Sequence, residues 1–302
     1  MSVKLPAVAG ARMAALRSSG TWGSALTADE FAAIRSVGFE PVGQVFGAAV
    51  YSAGSASGYS CPGAPGPAGG GPPPRPAAQV SGRGGAGSFG PLVQTMDQAR
   101  HTAVGRMITE CAELGGHGVV GVRVSRGTFP LGGPQFIVIG TAVRAPGAAD
   151  GPPVPFTAGM SGQDFAKLMM AGWVPAGLVL GISIGSRHDD RSIGRQARWG
   201  SGNAEVAGWT ELVSRVRQDA RRQLERDVSR LGAEGVVIAT MQMRVRARDC
   251  PATVARRDHI VEATLIGTAV ARFSRAKQRH DGPALAIMSL DPQRRQAARI
   301  RI

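Results

Sequence analysis

Two stretches of the sequence carry apolar residues at the three- and four-residue spacing of an amphipathic helix. The first covers residues 96–114 and the second covers residues 213–231, so corresponding positions are 117 residues apart. Gly115 and Gly232 follow these stretches directly, and glycine most easily takes the left-handed conformation that ends a helix. We predict one long helix in each half of the chain.

Shorter segments with alternating apolar residues predict one strand before each long helix and two strands after it. The strand that follows the helix has polar residues on one face, such as Arg123 and Ser125, and should be covered on one side only. Its apolar positions are Val120, Val122 and Val124, with the counterparts Val237, Ala239 and Met241. The last strand is apolar on both faces, and one helix covers only one of them. We expect its other face to meet the other half of the chain, its sister repeat, or another subunit.

Further motifs occur once in each half. Leu-Gly-x-x-Gly-Val-Val stands at 114–120 and at 231–237, and Ile-Gly-Thr-Ala-Val stands at 139–143 and at 266–270. A short helix with a capping hydroxyl, Thr27 or Ser161, opens each half. The predicted fold is α+β: two tandem repeats, each a short N-terminal helix plus a β-α-β-β unit, with one long helix packed on a small mixed, mostly antiparallel sheet.

The composition changes along the chain mark the expected boundaries. Residues 52–90 are rich in glycine and proline and bury too little apolar surface to offset their ordering entropy, which predicts a disordered insertion. The expected segments are a flexible arm (1–20), repeat 1 (21–146), a linker (147–155), repeat 2 (156–273) and a basic tail (274–302).

Arg106 within the first long helix, the Leu-Gly-x-x-Gly-Val-Val motif and the Ile-Gly-Thr-Ala-Val motif resemble the YbjQ-like family, which is described as heavy-metal-binding. The resemblance covers both repeats and implies a small α+β module in a family whose single-module members form rings such as pentamers. Here two modules are fused, so a simple ring of five subunits is not implied.

The 302 residues carry a formal net charge of +14, which favours an acidic partner or a polyanion. An arginine-rich composition of the whole proteome explains the same charge without any function. Three scattered cysteines fit no disulfide framework, and no apolar run is long enough for a membrane span. We expect a cytoplasmic protein.

A crossover through the long helix leaves the two flanking strands parallel, which brings several polar loops of repeat 2 to one end of the sheet. A zinc-like divalent heavy metal could be held there by His188, Cys250 and His259. The acids Asp189, Asp190 and Asp258 gather at the same end. The simpler interpretation of all these residues is that they belong to polar loops in contact with solvent. No cofactor is otherwise indicated.

The same end is rich in arginines, which predict an anion site instead and would repel a cation. The arginines are Arg187, Arg191, Arg195, Arg248, Arg256 and Arg257. The tail adds further basic residues, and non-specific binding of polyanions or nucleic acid is a second alternative. Cys111 lies in the apolar stripe and is expected in the core, whereas His101 and His117 are expected at the surface.

The serines and histidines form no recognisable triad pattern in the sequence, so we expect no enzymatic activity. The leading hypothesis is a non-enzymatic, oligomerising protein of YbjQ-like type that acts through assembly or binding. Its partner would be a second copy of itself, or the sister repeat, through the uncovered sheet face.

Overall fold

The computed structural model describes residues 4–20, 23–52, 78–83, 89–128, 133–147, 154–197, 202–250 and 256–272. We call the described residues up to 147 the first half and those from 154 to 272 the second half. Within these ranges, no helix combines the length and the apolar character that crossing a membrane requires.

The first half contains three helices and four strands. They are α1 (Ala7–Ser19), α2 (Ala28–Ser36), β1 (Glu40–Val50), β2 (Gln79–Ser81), α3 (Gly90–Glu113), β3 (Gly118–Thr128) and β4 (Pro134–Arg144). Thr27 caps α2 as predicted, because its hydroxyl accepts from the Glu30 amide while the Glu30 side chain accepts from the Thr27 amide. Gly115 follows α3 with φ of 69°.

The second half repeats the order of a short helix, a strand, a long helix and two strands. Its elements are β5 (Phe156–Thr157), α4 (Gly162–Met170), β6 (Trp173–His188), α5 (Arg191–Gln196), α6 (Ala207–Arg230), β7 (Gly235–Asp249) and β8 (Arg257–Arg272). Ser161 caps α4, and Gly232 follows α6 with φ of 63°. The two long helices are therefore where the apolar spacing predicts them.

Each half contributes the three main strands of one four-stranded sheet. The orders are β1-β4-β3-β5 and β2-β6-β8-β7, and only the pairing of β3 with β5 is parallel. Because β4 lies antiparallel between β1 and β3, these two strands run in the same direction, as the crossover rule requires. The predicted α+β class with small, mostly antiparallel sheets is confirmed.

The fourth strand of each sheet comes from the opposite half of the chain. The strand β2 pairs with β6 of the second half, and β5 pairs with β3 of the first half. In the second exchange the Phe156 amide donates to the His117 carbonyl, and the Ala158 amide to the Val119 carbonyl. Since β2 lies inside the Gly/Pro-rich stretch at 52–90, part of that predicted insertion is ordered by pairing. Residues 53–77 and 84–88 lie outside the described ranges.

A helix, α1, occupies most of the segment expected to be a flexible arm. Met13 is fully buried, and Arg12 forms an ion pair with the buried Glu110 of α3. Arg17 pairs with Glu113 one turn further along α3. These contacts with α3 stabilise a segment whose own apolar pattern is weak.

A β-bulge interrupts the strand that follows each long helix and corrects the predicted faces. The register shifts between Val120 and Arg123 in β3, where Gly121 has φ of 66°, and between Ile238 and Thr240 in β7. Because the extra residue reverses the alternation, Val120 and Val124 lie on opposite faces rather than on one.

The helix α6 packs on β6 and β8, whereas β7 lies beyond it at the edge of the sheet. The prediction that the helix covers the apolar face of β7 is therefore wrong for most of this strand. Four large apolar side chains of β7 are exposed: Val237, Ile238, Met241 and Val245.

The other face of the second sheet packs on the first half. Leu178, Leu180 and Ile182 of β6 join one buried cluster with Met107 of α3 and Val122 of β3. Ile266 of β8 packs against the same cluster, so the last strand of the second half meets the sister half, one of the two partners expected for it.

Charged side chains also connect the two halves. The guanidinium of Arg83 contacts Asp97 of α3 and Asp227 of α6, each at 2.7 Å, and donates to the Leu180 carbonyl at 2.6 Å. Arg126 of β3 forms an ion pair with Glu262 of β8. Since these charges are largely buried, loss of one partner would leave an uncompensated charge between the halves.

Candidate functional site

Two strands of the second sheet, β6 and β7, end where the third, β8, begins. His188, the last residue of β6, lies directly opposite Asp258 of β8. Cys250 follows β7, and its amide donates to the Arg256 carbonyl at 2.9 Å, which continues the pairing of β7 with β8. Antiparallel pairing of adjacent strands therefore brings residues 188, 250 and 258 together although they are far apart in the sequence.

The three side chains form a buried cluster of nitrogen, sulfur and oxygen ligands. The Nδ1 atom of His188 lies 2.7 Å from Oδ1 of Asp258. One ligating atom from each of His188, Cys250 and Asp258 lies within 4.8 Å of the others, and all three residues are buried. By strand alternation, the cluster lies on the sheet face opposite α6.

His259, which the sequence suggests as the third metal ligand, belongs to a different group. Its Nε2 atom lies 3.0 Å from Asp189, and its ring centroid lies 4.5 Å from that of Trp209 at the start of α6. Because successive residues of a strand face opposite sides of the sheet, Asp258 and His259 point away from each other and do not share one cluster. The register of β6 against β8, which the structure gives, selects Asp258 rather than His259 as the residue beside His188.

Four of the six arginines proposed as an anion site line one open pocket of about 830 Å³ at this end of the sheet. They are Arg191, Arg195, Arg256 and Arg257, together with the acids Asp189, Asp190 and Asp249. Arg187 faces α6 and pairs with Glu211 at 2.6 Å, and Arg248 is on the exposed part of β7. Three carboxylates balance most of the positive charge, so the pocket is of mixed charge rather than strongly cationic.

A cysteine beside a histidine–aspartate pair also resembles the arrangement that activates a thiol nucleophile. A nucleophile must be reached by its substrate. The described lining of the adjacent pocket includes Asp249, Arg256 and Arg257 but not the three cluster residues, which are buried. This geometry favours a held ion over a reacting substrate.

The other cysteine and histidine candidates have structural environments. Cys111 is fully buried in the apolar stripe of α3, where burial raises the pKa of its thiol to about 12 and its Sγ donates to the Gly118 carbonyl. His101 is mostly exposed, and Nδ1 of His117 accepts from the Ala145 amide. Cys61 and the basic tail at 274–302 lie outside the described residues.

Two exposed apolar surfaces lie on different sheets. One is the edge strand β7 with Val237, Ile238, Met241 and Val245, which we call the donor edge. The other is the face of β1 that carries Phe46 and Val50, next to the half-buried Ile137 and Ile139 of β4, which we call the acceptor face. The sequence pattern does not reveal the donor edge, because it assigns that side of β7 to the helix.

Comparison with known proteins identifies relatives for most of the chain. Residues 82–146 match a family model, YbjQ, described as "Putative heavy-metal-binding". An encapsulin nanocompartment protein of Mycobacterium tuberculosis is 31% identical over 248 residues, which cover 78% of this chain and 82% of that protein. No solved structure matches the chain.

A UPF0145 protein of Thermus thermophilus, found in two strains, is 36% identical over 58 residues. These residues make up 19% of this chain and about half (51%) of that protein. The family model and the extent of the mycobacterial match agree with the motifs in the sequence. The chain belongs to the YbjQ-like family.

Proposed function

We propose that this protein is a non-enzymatic assembly protein built from two copies of one YbjQ-like module, which self-associates head to tail. In this proposal, neighbouring chains are joined by the same contact that joins the two halves within one chain. The observation that carries it is the exposure of the donor edge and the acceptor face, whose counterparts are buried inside the chain.

Equivalent hydrogen bonds support the treatment of the halves as copies. The Ala25 amide donates to the Thr141 hydroxyl at 3.2 Å, and the Gly159 amide donates to the Thr268 hydroxyl at 2.9 Å. Thr141 and Thr268 occupy the same place in the Ile-Gly-Thr-Ala-Val motif. The segment before the short helix therefore meets the last strand of its own half in the same way twice.

The acceptor face of the first half corresponds to a surface that is covered in the second half. With an offset of 134 residues, Phe46 corresponds to Leu180, and Val50 corresponds to Ile184. Leu180 is fully buried against the first half, whereas the Phe46 side chain is 38% exposed. The first half therefore has the apolar surface that its counterpart uses for docking, and within the described part of the chain Phe46 and Val50 stay exposed.

The donor edge corresponds to β3, which the second half covers. Val120 of β3 is fully buried with Ala158 and Met160, which follow β5. Its counterpart Val237 on β7 is exposed, and so is Met241, the counterpart of Val124 (53% exposed). The sequence equivalent of β5 is residues 22–23, of which residue 22 lies outside the described ranges. In the proposal, this segment of a neighbouring chain adds to β7 as β5 adds to β3.

The geometry makes the contact heterologous, since each joint uses the donor edge of one chain and the acceptor face of the next. A heterologous contact repeats until the rotation between neighbours closes a ring, or it continues as a filament. The mycobacterial relative is named for a nanocompartment, which supports assembly as the shared property. A cytoplasmic location is part of this proposal.

Light scattering after size-exclusion chromatography, with mass photometry at lower concentration, tests the proposal. We expect the full chain to form a multimer, and both Phe46→Glu and Met241→Glu to reduce it to monomers by placing a charge in the contact. Val8→Glu, at an exposed position of α1, is the matched control and should assemble normally.

A mixture of the two variants distinguishes head-to-tail assembly from other modes. Phe46→Glu retains an intact donor edge, and Met241→Glu retains an intact acceptor face. The mixture should therefore form a dimer of one copy of each, with a single intact joint. A monomeric wild-type chain, or variants that do not combine, would contradict the proposal.

A further inference from the structure

We propose that His188, Cys250 and Asp258 form a binding site for a divalent transition metal of the zinc class. The observation is the buried cluster of one imidazole, one thiol and one carboxylate at the meeting point of three strands. The site lies within one chain, so it does not depend on the assembly proposed above.

The ligand types match the preference of zinc and cobalt for nitrogen and sulfur with a carboxylate oxygen. At metal–ligand distances of about 2.0–2.3 Å, the ligands of a tetrahedral site are roughly 3–4 Å apart. The three ligating atoms lie within 4.8 Å of one another, so side-chain movements of about 1 Å bring them around an ion. Three protein ligands leave a fourth position for water or an external ligand.

Burial strengthens the case for a cation. Asp258 already contacts His188 at 2.7 Å, but one imidazolium balances a single negative charge, whereas a divalent ion balances the carboxylate and the Cys250 thiolate together. The rigid pairing of β6 with β8 holds His188 and Asp258 on the same face of the sheet. The backbone hydrogen bond from Cys250 to Arg256 fixes the third ligand.

Nearby arginines oppose a cation less than the sequence suggests. Arg187 lies on the face toward α6 and pairs with Glu211 at 2.6 Å and Asp190 at 3.8 Å. Arg257 pairs with Asp249 at 3.4 Å. Carboxylates thus offset two of the positive charges that flank the cluster.

The site lies where the strands of the second half extend beyond the length of their counterparts in the first half. The strands β7 and β8 have 15 and 16 residues, whereas β3 and β4 have 11 each. The first residue of β4, Pro134, corresponds to Val261, so Asp258 has no counterpart within β4. The family model matches residues 82–146, so the proposed site lies outside the residues that match it.

Titration of the full-length, tag-free protein with Co²⁺ after chelator treatment tests the site. We expect about one Co²⁺ per chain and a thiolate-to-cobalt charge-transfer band in the near ultraviolet, which Zn²⁺ then abolishes by displacement. Asp258→Asn should weaken Co²⁺ binding about 10–100-fold or more. Cys250→Ser should remove the band.

The Cys111→Ser variant is the matched control. Cys111 is also buried, but among the described residues it belongs to no group of potential metal ligands. This variant should retain the band. Circular dichroism of each metal-free variant shows whether it has folded. Absence of the band in the wild-type protein, or its persistence in folded Cys250→Ser, would overturn the assignment.

Discussion

Arg126 on β3 and Glu262 on β8 form an ion pair that connects the first sheet to the second. Both side chains are largely buried, and Arg126 also donates to the Thr264 hydroxyl at 3.2 Å. The pair lies on the face of β8 opposite α6, where the two halves meet.

Replacement of Arg126 by alanine leaves the Glu262 carboxylate buried with much of its compensation removed. We expect Arg126→Ala to lower the free energy of unfolding by about 3–5 kcal/mol. Arg246, which is exposed and lies 3.5 Å from the same carboxylate, is the control. Arg246→Ala should cost about 0–1 kcal/mol in the same urea titration. Equal effects of the two variants would show that Arg126 does not hold the halves together.

One glycine in each sheet, Gly47 or Gly181, allows the long helix of that half to lie directly on the strand. A Cβ atom at Gly47 would overlap the Ala103 carbonyl oxygen, and one at Gly181 would overlap the Ala220 carbonyl oxygen. We expect Gly47→Ala and Gly181→Ala each to destabilise the fold by about 1–3 kcal/mol or more, because backbone must move. Denaturant midpoints measure this.

Gly10→Ala provides the control for both glycine variants. Gly10 lies within α1, and nothing lies within 4 Å of a Cβ placed there. Alanine favours a helix over glycine by about 1 kcal/mol, so this variant should be as stable as the wild type or more stable. If Gly47→Ala were equally harmless, the close approach of α3 to β1 would be disproved.

The stability should fall in acid through Asp97. Burial opposes the ionisation of this carboxyl, but the hydrogen bond with His101 and the charges of Arg100 and Arg83 outweigh burial and lower its pKa to about 2. The ordinary value is 3.8, so this stabilisation is complete above about pH 4 and is lost as the pH falls toward about 2.

Asp97→Asn should remove this pH dependence. We expect the variant to be about 2 kcal/mol less stable than the wild type near neutral pH, with the difference closing below about pH 3. Urea unfolding at a series of pH values measures both quantities. A difference that stays constant with pH would contradict the lowered pKa.

The stability should also fall in alkali through Cys111. Its pKa is raised from 9.0 to about 12, so above about pH 9 the unfolded chain releases a proton that the folded chain retains. Stability should decrease there by about 1.4 kcal/mol per pH unit. Cys111→Val, which copies the counterpart Val228, should remove this contribution, and an unchanged slope in that variant would refute it.

The sequence predicts the local elements well because their causes are local. The caps at Thr27 and Ser161 and the glycines after the long helices depend on a few adjacent residues. Apolar spacing predicts both long helices, although Leu231 at the end of the second stripe is exposed. These features require no knowledge of distant contacts.

The features that the sequence does not predict depend on pairing between distant strands. The bulges at Gly121 and after Ile238 change which side chains share a face, and the alternation of residues alone does not show them. The same parity decides that Asp258, rather than His259, lies beside His188. The ordering of β2 comes from an edge of the opposite half, which its own composition does not indicate.

The reciprocal positions of β2 and β5 have a consequence for how the chain can be divided. A cut between residues 147 and 154 gives two fragments, and each lacks one strand of its own sheet while it carries the strand that the other fragment needs. The linker is thus the natural place for a split version of the protein, whose pieces would restore both sheets only in each other's presence.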